Sequence, residues 1–149
     1  MNDGADPPGD DVGLERGQWQ GVAGRALQPS GLGQALAMAE PHPVEAVGVV
    51  VDTFHVWWDP ELEEQVARAG RNGQILAHHI CDWLVPTTDP LNDRGMMGDG
   101  VIDLKAFRAM IEAAGFHGPQ EVEIFSHRWQ ARPMDEVLTT VVERFKTVC

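Results

Sequence analysis

Three short apolar runs, each closing on or beside a side chain that can bind a metal, constrain this chain more than any other feature. They are residues 47–52 (VGVVVD), 74–82 (QILAHHICD) and 120–125 (QEVEIF). Continuous β-branched runs of this length suit strands buried on both faces, as in parallel sheets. Helical stretches lie between them. Asp59 reads as an N-cap, with Pro60 at the first helical position and Glu61, Glu63 and Glu64 in a first turn that runs on to about Gly70. Residues 103–114 carry Leu104, Phe107, Met110 and Ile111 on one side, and Gly115 stops them. Met134–Val148 is a last helix with a stripe of Val137, Leu138, Val141, Val142 and Phe145. A β-α-β-α-β-α order gives adjacent parallel strands through right-handed crossovers.

The region ahead of this pattern is different. Residues 1–33 hold eight of the sixteen glycines and show no sustained period, so a loosely ordered segment is expected there. A short strand at residues 12–14 is the exception considered. Residues 34–40 (QALAMAE) read as the end of a helix, stopped by Pro41 and Pro43. The division expected is therefore 1–33 and 34–149.

Composition excludes several classes. The net charge of −12 opposes broad contact with nucleic acid, which needs Lys and Arg against phosphates. It leaves room for a small phosphorylated substrate held by one or two cations. No apolar run reaches the roughly 18 residues of a membrane span, and the acidic start is unlike a secretory signal, so a cytoplasmic protein is expected. Cys81 and Cys149 form neither a disulfide framework nor a Cys-x-x-Cys zinc pair.

The chemistry collects at the strand ends. Asp52, His79 and Glu123 each sit where a parallel strand would present its carboxyl end, the side on which barrels of parallel strands carry their active sites. A set of carboxylates and imidazole without thiolate suits Mn²⁺, Mg²⁺, Co²⁺ or Zn²⁺. Each has a plainer reading. Asp52 can cap the turn after its strand, His79 competes with His78, and Glu123 competes with Glu121 on the same face. Spacing to Asp82 favours His79, and position near the strand end favours Glu123. Asp82 itself reads as a residue that orients the following loop or Arg94. Trp57 and Trp83 read as packing residues that can also line an apolar wall of a pocket.

Four motifs in order carry a resemblance: Asp52-Thr53-Phe54-His55, His79-Ile80-Cys81-Asp82, residues 93–100 (DRGMMGDG) and Glu121-Val122-Glu123-Ile124-Phe125-Ser126. From about Ala35 onward the chain resembles the sugar phosphate isomerase/epimerase family, the xylose isomerase-like TIM barrels. The resemblance implies an α/β fold, the C-terminal part of a (β/α)8 barrel with about three βα units. It implies Asp52, His79 and Glu123 as ligands of a divalent metal, with His55 and Arg94 contacting the substrate. The implied reaction is isomerisation or epimerisation of a sugar, sugar phosphate or polyol, by proton transfer through a metal-stabilised enediolate with Glu123 as acid/base.

The family's further Glu, on a preceding strand, has only Glu15 as a counterpart here, in surroundings unlike a strand. A full barrel takes about 250 residues, so a shortened, impaired enzyme is expected, or one paired as a homo-oligomer or with a complementing chain. Two alternatives stay open. One is a non-catalytic remnant or partner subunit. The other is a barrel-type metal phosphodiesterase resembling abasic-site endonucleases, which the acidic charge and sparse histidines disfavour.

Overall fold

The computed structural model describes residues 31–149. The expectations for residues 1–30, including Glu15 and the strand at 12–14, lie outside the described residues. The first helix, α1 (Leu32–Ala39), opens two residues ahead of Gln34, so Leu32 and Gly33 belong to it. It buries Leu32, Leu36 and Ala39.

Strand β1 (Val49–Asp52) runs straight into a single helical turn, α2 (Thr53–Val56), which the sequence pattern did not show. Helix α3 (Leu62–Arg71) starts later than expected. Asp59 is not its N-cap, because the Asp59 carboxylate accepts from the Glu61 N–H and organises a turn ahead of the helix. Leu62, Val66 and Ala69 recur at helical spacing and form its buried stripe.

Strand β2 (Ile75–Ile80) pairs in parallel with β1. The long segment after it forms a small antiparallel pair, β3 (Asp82–Trp83) with β4 (Arg94–Gly95). Helix α4 (Leu104–Ala113) is capped by Asp103, whose side chain accepts from the Ala106 N–H at 3.0 Å. It buries Leu104, Phe107 and Ile111. Strand β5 (Gln120–Val122) is shorter than the apolar run suggested, and Glu123 follows it directly. A short α5 (His127–Gln130), also missing from the sequence reading, precedes α6 (Met134–Val148), whose bounds match the expectation.

The three long-range strands make one parallel sheet in the order β1-β2-β5. The fold is therefore α/β with parallel βα units, an open arc rather than a closed barrel among the described residues. The helices cover one face. Leu36, Val51, Val66, Ala69, Ile75, Phe107 and Ile111 form a first core between α1, α3, α4 and the first two strands. A second cluster gathers Ile80, Met96, Met97, Leu104 and Trp129, with Val137, Val141 and Phe145 of α6 packed on its outside. Leu138 and Val142, expected in the same stripe, face solvent. No helix among the described residues is long and apolar enough to cross a membrane.

Candidate metal centre

Register decides which side chains meet. The pairing of β1 with β2 is interrupted between Val49 and Val50: Val49 lies opposite Ile75, but Val50 lies opposite Ala77. One extra residue in β2 shifts its alternation by one position, as a bulge does. Ile75 and His78 therefore both lie on the helix-covered face, three residues apart, and both are buried. Asp52 comes to lie opposite His79, and His79 opposite Glu121, so the next side chain on that row is Glu123.

The three residues expected to bind metal thus come together. One donor atom each from Asp52, His79 and Glu123 can be chosen so that all lie within 4.8 Å of one another. Asp52 is buried, while His79 and Glu123 are half-buried. The Nδ1 of His79 is 3.7 Å from Oε2 of Glu123, and its Nε2 is 3.6 Å from Oε2 of Glu121. Glu121, the rejected competitor, stays largely exposed beside the cluster.

Asp52 fulfils both of its possible roles, one with each oxygen. Oδ1 accepts from the Phe54 N–H at 2.8 Å and caps α2. Oδ2 faces the cluster and accepts from Nη1 of Arg94 at 3.1 Å. The same Nη1 donates to Oε2 of Glu123 at 2.7 Å, and Nη2 lies 3.1 Å from Nε2 of His55. Both expected substrate-contacting residues, His55 and Arg94, therefore border the three ligand candidates. Thr53, not singled out from the sequence, ties the two strand ends: its hydroxyl donates to the Cys81 carbonyl and accepts from the Cys81 N–H.

Burial raises the Asp52 carboxyl above its ordinary pKa, with the Arg94 and His55 charges pulling the other way. Burial lowers the His55 imidazole, against the opposing pull of Asp52, and the nearby Arg94 cation lowers it further. A neutral His55 accepts at Nε2 from Arg94, which places its own proton on Nδ1. Burial works against the Arg94 charge, yet the neighbouring carboxylates Asp52 and Glu123 raise its pKa. The guanidinium is buried between two rings, 4.6 Å from the Phe54 centroid and 5.0 Å from that of Phe125. Phe54 in turn leads to an aromatic wall of Trp83, Trp57 and Trp58.

Asp82 holds the loop that delivers Arg94. Fully buried, its carboxylate accepts from the N–H groups of Trp83, Gly98, Gly100 and Ile102. Glycine is required twice in this loop. Gly98 has φ +85, and any Cβ at Gly100 would collide with the Trp83 carbonyl and the Asp82 carboxylate. Residues 98–100 are a carboxylate-centred turn, in keeping with the absence of a nucleotide-binding lysine.

The donor set fits a hard or borderline divalent ion. It offers one imidazole and two carboxylates with no thiolate, and a cationic group already lies against both carboxylates.

Comparison with known proteins agrees with this architecture. A family model described as the xylose isomerase-like TIM barrel matches residues 6–147. The crystal structure of protein SMc04130 from Sinorhizobium meliloti 1021 is 64% identical, with a TM-score of 0.77 over 80% of this chain and 44% of that one. The IOLI protein, solved with a bound zinc atom, shares the fold at 24% identity and a TM-score of 0.68, over 80% of this chain and 43% of its own. The chain spans less than half the length of both. No curated protein matches it.

Proposed function

The chain belongs to the xylose isomerase-like TIM barrel family, and on that footing we propose that it is a metal-dependent isomerase or epimerase of sugars, sugar phosphates or related polyols. The observation that carries this reading is the meeting of Asp52, His79 and Glu123 at one rim of the parallel sheet. That a structural neighbour holds a zinc atom supports the choice of a divalent ion.

In this reading Asp52, His79 and Glu123 hold the ion, which when bound supplies Lewis acidity to a substrate carbonyl and its neighbouring hydroxyl. Zn²⁺, Mn²⁺, Mg²⁺ and Co²⁺ all suit the donors. Glu123, the more exposed carboxylate, takes a proton from the carbon beside the carbonyl and returns it, as general base and then acid. His55, whose Nε2 faces Arg94, offers a hydrogen bond to a sugar oxygen from Nδ1. Arg94 contacts an anionic or carbonyl oxygen, and the partly exposed Trp57 and Trp83 face the apolar side of a sugar ring.

The test is deuterium exchange from solvent into the carbon adjacent to the carbonyl, across a panel of ketoses, ketose phosphates and cyclic keto-polyols, with Mn²⁺ or Zn²⁺ present. Exchange that falls by about 10²–10⁴-fold in Glu123→Gln supports the proposal. No exchange with any member of the panel contradicts it.

The alternative is a chain that binds metal without turnover, as a remnant or as a subunit completed by another chain; it would show metal binding without exchange.

A further inference from the structure

We propose that Arg94 is a built-in counter-ion of the metal-free site, competing with the divalent ion for the oxygens the ion needs and releasing them when it binds. This rests on the metal-site reading above and adds to it a residue that sets the affinity.

The competition follows from which oxygens are free. Asp52 has committed Oδ1 to the Phe54 N–H, which leaves Oδ2 for the site. Oε2 of Glu123 lies 3.7 Å from Nδ1 of His79. Nη1 of Arg94 takes both, at 3.1 and 2.7 Å. An ion between Asp52, His79 and Glu123 that draws on these two oxygens shares them with a guanidinium of like sign. At such separations in a partly buried site, charge repulsion is strong.

Arg94 is also installed rather than draped over the site. Its side chain is 7% exposed. Rings stack on it from Phe54 and Phe125. Its backbone is held by the Phe125 carbonyl and by pairing with Trp83. The loop beyond it is pinned to Asp82. The backbone is thus fixed, and only the end of the side chain can give way. One detail points to a geometry serving the carboxylates: the Nε–H of Arg94 is buried with no partner, and a buried unpaired donor is unfavourable. The contact from Nη2 to His55 gives the guanidinium a second hold when the carboxylates are withdrawn.

Zinc titration by calorimetry of the full chain, Arg94→Gln and Arg94→Lys tests this. Arg94→Gln should bind zinc at least about tenfold more tightly than the parent, within the usual range of coupling between two ligands of one site. Arg94→Lys keeps the charge and should stay close to the parent. Without metal, Arg94→Gln should melt earlier, and zinc should raise its melting temperature by more than it raises the parent's. A folded Arg94→Gln that binds zinc equally or more weakly overturns the proposal, because Arg94 would then be arranging the ligands. A second measurement uses the unaltered protein. The Arg94 guanidinium nitrogens should rotate slowly by NMR without metal and faster with zinc; no change overturns the proposal. If neither parent nor Arg94→Gln binds zinc, the metal-site reading falls and this inference with it. If Asp52→Ala abolishes zinc binding but Arg94→Gln brings no gain, only this inference falls.

Discussion

On the β1 side of the sheet, Leu36, Val51, Val66 and Ile111 are wholly enclosed between α1, α3, α4 and the strands. On the β5 side, the strand is three residues long with none of them buried, and α6 runs beside it without a single buried residue. The difference matters because the site straddles it. Asp52 and His79 come from the enclosed side, and Glu123 from the open one. Two ligand candidates are therefore held by dense packing, while the third follows a short, partly exposed strand and is anchored by its own N–H, which donates to the Ile80 carbonyl at 3.1 Å. Positional precision in this fold comes from a core at one side and from backbone pairing at the other.

Core truncations should expose the contrast most strongly. Ile111→Ala or Leu36→Ala should cost about 2–5 kcal/mol in urea unfolding, whereas Leu138→Ala on α6, at 60% exposure, should stay within about 0.5 kcal/mol. Equal losses would erase the distinction between the two sides.

His78 gives the next effect. It is fully buried against Phe107, with both ring nitrogens unpartnered. Burial, with the His79 and Arg108 charges adding to it, lowers its pKa to about 4. The folded state therefore disfavours the proton that the unfolded chain accepts near pH 6.5. Stability from this residue is full above about pH 6.5 and is lost as the pH falls toward 4, on the order of 3 kcal/mol in all. His78→Phe should flatten the stability profile between pH 7 and 4, and an unchanged slope would rule this out.

Asp82→Asn sharpens the comparison at the boundary between the sides. It keeps the shape but turns a donor toward the N–H groups that the carboxylate serves, and should cost about 1–3 kcal/mol. Hydrogen exchange should quicken in residues 96–102 before it quickens in α3.

Much of this was legible in the sequence. Apolar runs separated by capped helical stretches gave the βα order, and Met134–Val148 was readable to the residue because its acidic first turn and helical stripe agree. The ligand candidates were readable because strand ends in a parallel sheet share one rim. Other features were hidden. The bulge between β1 and β2 is a pairing event, and it puts His79 rather than His78 beside Asp52. Simple alternation from Ile75 would have turned His79 toward the helices. The two single-turn helices are too short for a period to show. Leu138 and Val142 follow the stripe, but Val137, Val141 and Phe145 are the stripe residues that pack on the second core. The double use of Asp52, one oxygen for the cap and one for the site, is visible only once Phe54 and Arg94 are placed.

The most direct measurement is a calorimetric titration of the parent with Mn²⁺ or Zn²⁺ beside Asp52→Ala and His79→Ala, each checked for folding by circular dichroism. One ion per chain, with affinity lower by about 10–100-fold or more in each variant, is the predicted result. Variants that bind the ion as tightly as the parent would contradict it.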